Sequence, residues 1–368
     1  MQFDHGPLGG GTDFVRPIKL IKASDPSELK QAFGAMQDAH AQGHWLAGYA
    51  TYELGYALCR KLNGLLPDHR SLPLLHFGVF ERPWPARKMS ATQTGQLETP
   101  TPVWDFKRYA AAFKVAHDYI SAGDIYQVNL TFPLTSRFSG SVDGVYSRLR
   151  EKQPVPYGAL VKLGDTALLS RSPELFFALT SDGEMTARPM KGTAPRGQTD
   201  AEDDALRQGL RVSDKNRAEN LMIVDLLRND MSRISEIGSV RVPRLFAIER
   251  YATLHQMTST ITSNIRRGTT FENLFTALFP CGSITGAPKI RAMEILAELE
   301  AVPRNAYCGS IGWIAPDGSM EFNVAIRTLM CQKSGATTLN VGGGVVFDSS
   351  AKDEYAEAIL KSQFAVLD

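Results

Sequence analysis

Strand follows strand through the middle of this chain with too few residues between them for a helix, and that order restricts the fold more than any other feature. Leu168-Leu169, Leu175-Phe176-Phe177 and residues 185–188 are short strand-like runs, and Ser181-Asp182-Gly183 supplies a hairpin turn before the last of them. Parallel neighbours need a crossover of about a dozen residues or more. Helical periodicity is collected between and after groups of strands, which favours an α+β plan over a parallel alternation. No GxGxxG or Walker loop is present, so a nucleotide-binding fold has no support.

Phe106, Tyr109, Phe113, Ala116 and Ile120 recur at helical spacing, and Gly123 is placed to end that helix in a left-handed turn. Over 125–131 a strand is expected, with Tyr126, Val128 and Leu130 on one face and Gln127, Asn129 and Thr131 on the other. The second face is polar enough to line a site. Further helices are expected over 214–229, 287–300 and 350–365.

The length of 368 residues exceeds the usual single domain, so two lobes or one large two-layer domain is expected. Over 92–102, Thr, Gln, Gly and Pro replace the apolar pattern. This makes residues 1–91 a short first lobe, with Trp45-Leu46-Ala47-Gly48-Tyr49 as a buried strand, 92–102 a linker or loop, and 103–368 the larger, site-bearing region.

Forty Lys and Arg oppose thirty-nine Asp and Glu, so the overall charge attracts no polyanion and nucleic acid is not an expected partner. Cys59, Cys281, Cys308 and Cys331 form neither a CxxC pair nor a zinc pattern and read as buried thiols in a reducing compartment. There is no basic leader before an apolar stretch and no membrane-length apolar run, which gives a cytoplasmic expectation.

Several segments have residue types suited to chemistry. Pro189-Met190-Lys191-Gly192-Thr193 sets one amine between a φ-locked residue and a glycine, either an aimed nucleophile or a solvated ammonium. In the helix over 214–229, apolar residues cover nearly the whole circumference, the pattern of a buried helix. Glu219 shares a stripe there with Met222, Ile223 and Leu226, so it enters a polar pocket or pairs with a cation such as Arg217 or Arg228. Glu354 and Glu357 project from one helical face. They converge with Glu219 on a Mg²⁺, or else Glu357 pairs with Lys361 on a solvated surface.

The loop over 279–289 leads into a helix with Thr285 or Gly286 near the cap and Pro288 in the first turn, an anion-binding entry or a plain helix start. Gly342-Gly343-Gly344 lies between apolar strand residues, where something must approach the backbone closely or the sheet bends. Arg327 alternates with apolar neighbours and carries its guanidinium inward, to a ligand carboxylate or an internal Glu. His255 has no metal spacing and reads as a packed core histidine.

Taken together, these segments resemble the chorismate-utilising enzyme family. The resemblance runs through Gly123-Asp124-Ile125-Tyr126-Gln127-Val128-Asn129-Leu130, Ser172-Pro173-Glu174-Leu175 and the Lys191 pentapeptide. It continues through Arg217-Ala218-Glu219-Asn220-Leu221-Met222, Gly282-Ser283-Ile284-Thr285-Gly286-Ala287-Pro288-Lys289, Asn305-Ala306-Tyr307-Cys308-Gly309-Ser310 and the triple glycine. It covers the chain from about Trp104 to its end.

The resemblance implies two large antiparallel β-sheets packed face to face with helices outside. It implies Mg²⁺ on Glu219 and Glu357, with Glu354 close by, bound to the ring carboxylate of chorismate. Arg327, Tyr307 and the Gly343 backbone would hold the enolpyruvyl carboxylate, with Ser283 and Lys361 at the ring end. Within the family a lysine at the Lys191 position is thought to attack ring C2 while the C4 hydroxyl departs. Glu174 would be the general acid and His255 would orient that end. Ammonia would then displace the lysine by attack at C4.

Gln127 joins the substrate-binding set where relatives that add water tend to carry a lysine base, a role an amide cannot fill. No amidotransferase segment is apparent in the chain, so a separate glutamine amidotransferase subunit is the expected source of ammonia. The alternatives are amination at C2, as in anthranilate synthases, and a non-catalytic chorismate binder.

Overall fold

The computed structural model describes residues 1–87, 94–251 and 254–367. Two sheets form its centre, one of 11 strands and one of 10, and every strand pairing is antiparallel. In the larger sheet the long strand Gln127–Gly140 lies between Gly286–Ala287 and Ala336–Val345, followed by Thr328–Gln332, Thr166–Ser172 and Tyr157–Leu163. The smaller sheet runs from Met190–Pro195 through Leu254–Asn264, Glu184–Arg188, Leu175–Leu179 and Met320–Asn323 to Ser310–Ile314, Trp45–Ala50 and Leu75–Phe80.

The inner faces pack directly on each other: Tyr49, Phe80, Ile311 and Trp313 of the smaller sheet meet Ala159, Val161, Leu168 and Met330 of the larger. On the outer face of the smaller sheet, helices Leu29–Ala41, Asp214–Ser232 and Phe271–Leu278 bury Phe33, Ile223, Leu227 and Phe275. Helices Phe106–Ser121, Val142–Lys152, Lys289–Glu300 and Ala351–Leu360 cover the larger sheet with Tyr109, Tyr146, Ile295 and Ala358. The central strands therefore carry apolar residues on both faces, as the inner strands of a four-layer fold require.

Strands of the first 85 residues enter both sheets: Gln2–Phe3 pairs with Tyr157–Leu163, and Trp45–Ala50 is a buried strand between Ser310–Ile314 and Leu75–Phe80. Gly95–Leu97 and Thr101–Pro102 pair with Gln127–Gly140, while Thr92 and Gln93 of the expected linker lie outside the described residues. Cys281, Cys308 and Cys331 are buried and unpaired, and Cys59 is half-buried. No described helix is long and apolar enough to cross a membrane.

Three expectations are corrected in detail. Thr166–Ser172 and Leu175–Leu179 are consecutive but belong to different sheets, the chain stepping across at Pro173 and Glu174. Tyr126 is 67% exposed because the strand begins one residue later. Helix Asp214–Ser232 is amphipathic, with Leu221 and Asp225 facing solvent. Its apolar excess sits around one buried stripe of Asn220, Ile223, Val224, Leu227 and Met231.

Candidate active site

Two places where the chain crosses between sheets build the floor of the site. Glu174 lies at the step from Ser172 to Leu175, and Arg327 at the step from Asn323 to Thr328. The crossings are tied together: Val324 N donates to Glu174 O, Ser172 Oγ to Val324 O, and Arg171 N to Arg327 O. Arg327 has φ of 51°, a left-handed backbone rare outside glycine, held by these bonds. Above them opens a cavity of about 780 Å³, lined among others by Glu174, Lys191, Glu219, Ser283, Tyr307, Arg327, Glu354, Glu357 and Lys361.

The Lys191 pentapeptide is the start of strand Met190–Pro195, and its register on Leu254–Asn264 shifts between Met190 and Thr193. A bulge of this kind re-aims a side chain. Gly192 makes it possible with φ of 86°, and a Cβ there would meet Asn216 Oδ1 at 2.9 Å. Lys191 is half-buried and lines the cavity. Burial pulls its pKa below the ordinary lysine value, helped by Lys361 and opposed by Glu219, Glu174 and Glu357.

Glu174 is 5% exposed, and burial pushes its carboxyl up to about 7, against the opposing pull of Ser283 and Lys191. Ser283 Oγ donates to Glu174 Oε1 at 2.8 Å. Arg327 forms no ion pair among the described residues, so the internal Arg–Glu alternative is absent, and burial lowers its pKa. A guanidinium always carries its charge, and one left without a carboxylate in a cavity is a site for an anion. Tyr307, buried beside it, has its phenol raised well above 10 by burial.

Neither arginine proposed for Glu219 reaches it: Arg217 lies over the Phe246 ring at 5.1 Å and Arg228 pairs with Asp225 at 2.7 Å. Across the cavity Lys361 holds Glu357 at 2.8 Å and Gly342 O at 2.9 Å, while Ser349 Oγ donates to Glu354 at 2.7 Å. Burial raises Glu357, but Lys361, Lys191 and Lys215 outweigh it and the net shift is downward. Glu354 is raised by burial. Among the described residues no group of three His, Cys, Asp or Glu side chains is gathered closely enough to hold a metal. Glu219 and Glu357 nevertheless face one cavity from two helices, and both act electrostatically on Lys191. Two carboxylates with water and substrate oxygens are a sufficient set for Mg²⁺.

The triple glycine is where side chains crowd the backbone. A Cβ on Gly344 would lie 2.9 Å from Lys191 Nζ and 3.1 Å from Gln127 Nε2, and one on Gly343 would lie 2.8 Å from Glu354 Oε2. Gly342 and Gly344 line the cavity, whereas Gly343 faces Glu354 and Lys361. Gln127 is fully buried behind Lys191, and neither atom of its amide has a hydrogen-bond partner among the described residues.

The expected anion-binding helix entry takes another form. Gly286–Ala287 bridges to Gln127–Gly140 before the helix starts at Lys289, so Gly286 meets Gln127 O rather than a ligand. His255 is the packed histidine that its residue pattern suggested, fully buried with Nε2 2.9 Å from Asp203 Oδ1, and it lies outside the cavity, away from the orienting role that the resemblance implied. Alternation along Leu254–Asn264 gives the cavity face to Gln256, whose amide donates to Gly192 O at 2.8 Å. Lys215, Asn216 and Gln256 line the site and were missed. Lys215 was legible, lying four residues before Glu219 on the same helical face.

Residues 85–366 match the family model described as chorismate binding enzyme. The chain belongs to this family. Among similar proteins of this family, aminodeoxychorismate synthase component 1 of Klebsiella aerogenes is 44% identical over 256 residues, 69% of this chain and 56% of that protein. The protein of that name from Escherichia coli is 43% identical over 255 residues, again 69% and 56%, and that from Bacillus subtilis 38% over 278, 75% and 58%. The chain thus spans just over half the length of these relatives.

Two solved structures of the family's fold superpose closely. Anthranilate synthase component I of Streptococcus pneumoniae has a TM-score of 0.81 at 23% identity, covering 96% of this chain and 91% of its own. The menaquinone-specific isochorismate synthase of Escherichia coli has 0.77 at 17%, covering 99% and 88%. At these identities they speak for the two-sheet fold.

Proposed function

We propose that the chain converts chorismate and ammonia to 4-amino-4-deoxychorismate, through covalent attack by Lys191. The observation that carries this reading is an amine with a lowered pKa, turned by a bulge into the cavity that holds Glu174 and an unpaired Arg327. The relatives named aminodeoxychorismate synthase component 1 support the same reading.

Arg327 and Tyr307 anchor the enolpyruvyl carboxylate and so set the ring against Lys191. Neutral Nζ bonds to C2, both conjugated ring double bonds shift, and the C4–O bond breaks as Glu174 gives its proton to the departing hydroxyl, which leaves as water. Ammonia then bonds to C4, both double bonds shift back, and the C2–N bond pair returns to Lys191. The surplus proton on the new amine goes to Glu174, which restores the acid. Ser283 keeps Glu174 oriented through both transfers.

Glu219 and Glu357 would hold Mg²⁺, with Glu354 behind them, and the bound ion would supply positive charge for the ring carboxylate. The name "component 1" fits a separate glutamine amidotransferase as ammonia source. We place the reaction in p-aminobenzoate supply in the cytoplasm.

Mass spectrometry of chorismate incubated with Mg²⁺ and ammonium tests the reading. The expected product carries nitrogen at C4, and Lys191→Ala abolishes most of it. Nitrogen at C2, or free anthranilate, moves the chain to the anthranilate branch. No turnover with any amine supply leaves a binding protein.

A further inference from the structure

No described residue of 1–87 lines the cavity, yet the loop that carries Tyr307 is held from that part of the chain. Glu53, which follows strand Trp45–Ala50, is 1% exposed, and its Oε1 accepts Arg304 N at 2.7 Å and Asn305 N at 3.2 Å. The other oxygen, Oε2, has no hydrogen-bond partner among the described residues. A buried carboxylate with one oxygen unsatisfied is unfavourable, and what offsets that cost here is the pair of amides it holds.

Those amides belong to a loop whose own bonds are short turns, Tyr307 N donating to Arg304 O at 3.1 Å and Gly309 N to Ala306 O at 3.0 Å. Ala301, Asn305 and Cys308 have φ of 55°, 53° and 61°, left-handed values that need support from outside. Asn305 returns the grip: its carbonyl accepts Tyr52 N at 2.9 Å, and its Oδ1 accepts Ser71 N at 3.0 Å and Leu72 N at 3.2 Å. The neighbouring Arg304 lies 4.3 Å over the Tyr52 ring and donates to Asn129 O at 2.7 Å and Ile284 O at 3.1 Å. Asn129, Ile284 and Tyr307 all line the cavity. One clasp thus spans three walls of the site.

We infer that Glu53 is a positioning residue, through which the first part of the chain sets the Tyr307 loop in the geometry that binds substrate. The inference rests on the chorismate reading above. It assigns Glu53 no contact with substrate: the carboxylate fixes two backbone amides, and Tyr307 makes the contact.

Calorimetric titration of chorismate without an amine source separates the two claims. If the parent protein binds no chorismate, the functional reading fails and this inference falls with it. If the parent binds, Glu53→Ala is expected to weaken binding about tenfold or more, as displaced site groups do. Glu53→Gln keeps an acceptor at Oε1 and is expected to stay within about twofold. Glu53→Asp, which withdraws the acceptor by one methylene, should resemble Glu53→Ala and serves if that variant does not fold. In a Tyr307→Phe background that has itself lost affinity, Glu53→Ala should add less than about twofold, because neighbours acting through one group do not add. Binding at parental strength in folded Glu53→Ala or Glu53→Asp, full multiplication of the two losses, or failure of every Glu53 variant to fold would each overturn the positioning role.

Discussion

Lys191 Nζ lies 2.9 Å from the point where Gly344 would carry a Cβ. The two residues sit in different sheets, so the distance is an inter-sheet clearance for one ammonium group. Gly344 has no left-handed φ, and alanine suits its backbone. The strain of Gly344→Ala therefore falls on Lys191 and Gln127. Turnover of chorismate should drop about a hundredfold, the size of effect that a displacement of about 1 Å produces, with little change in melting temperature. Turnover within a factor of about two would mean that the amine can relocate and the clearance is not required.

The pH profile follows from Lys191 and Glu174. Lys191 acts as free base, so turnover rises with pH as its lowered pKa is passed; Glu174 acts as acid, so loss of its proton gives the profile its alkaline limb. Glu174→Gln should remove the alkaline limb and reduce kcat by about 10². Stability carries the same signature. The folded pKa of Glu174 lies above its ordinary 4.5, so its contribution to stability is full below 4.5 and is lost as pH rises through about 7. Melting at pH 5 and pH 8 should show Glu174→Gln gaining on the parent only at pH 8, by a few kcal/mol at roughly 1.4 per pKa unit.

The cavity-lining residues most legible in the sequence were Glu174, Lys191 and Glu219, which stand in contiguous motifs, with Glu357 legible from its helical spacing to Glu354. Long-range parity was not legible. Residues 166–172 and 175–179 look like neighbours, and only packing puts them in separate sheets with Glu174 at the crossing. His255 and Gln256 differ by one position, and in a strand one position exchanges the two faces. The bulge at Lys191 and Gly192 sets which faces the cavity, and no local pattern encodes that pairing. Helix 214–232 misled for a related reason: a run of apolar residues states composition, while the single packed side decides that Leu221 is exposed.

Arg327 has no ion-paired carboxylate among the described residues to leave behind, so its removal should cost binding and spare stability. Arg327→Ala is expected to raise KM for chorismate about a hundredfold, in keeping with a charge-assisted pair lost from a buried site. Arg327→Lys should recover little, because a point charge does not reproduce the planar fork. Steady-state kinetics beside thermal melting checks both. A large loss of stability in Arg327→Ala would identify a structural role instead.

Glu357 lines the cavity with its side chain 57% exposed and paired with Lys361, so replacing it should disturb the fold little. Glu357→Gln should weaken Mg²⁺ about tenfold or more in calorimetric titration with chorismate present, since the amide brings no charge to a hard cation. Unchanged Mg²⁺ affinity would remove Glu357 from the ligand set.

His255 provides the sharpest contrast between a residue near the chemistry in sequence and one near it in space. Its Nε2 meets Asp203 Oδ1 on the side of the strand away from the cavity, and Arg196 and Gly197 N complete the shell of that carboxylate. Asp203 is held well below the usual carboxylate range, first by its hydrogen bond with Arg196, and would stay ionised without the histidine. His255→Ala should therefore lose about 1–3 kcal/mol of stability, as buried hydrogen bonds do. KM and kcat for chorismate should remain within about threefold of the parent when measured below the melting transition. A fall in kcat of a hundredfold at unchanged stability would return His255 to the catalytic group. The geometry assigns that side of the cavity to Gln256 instead, through its bond to Gly192 O beside Lys191.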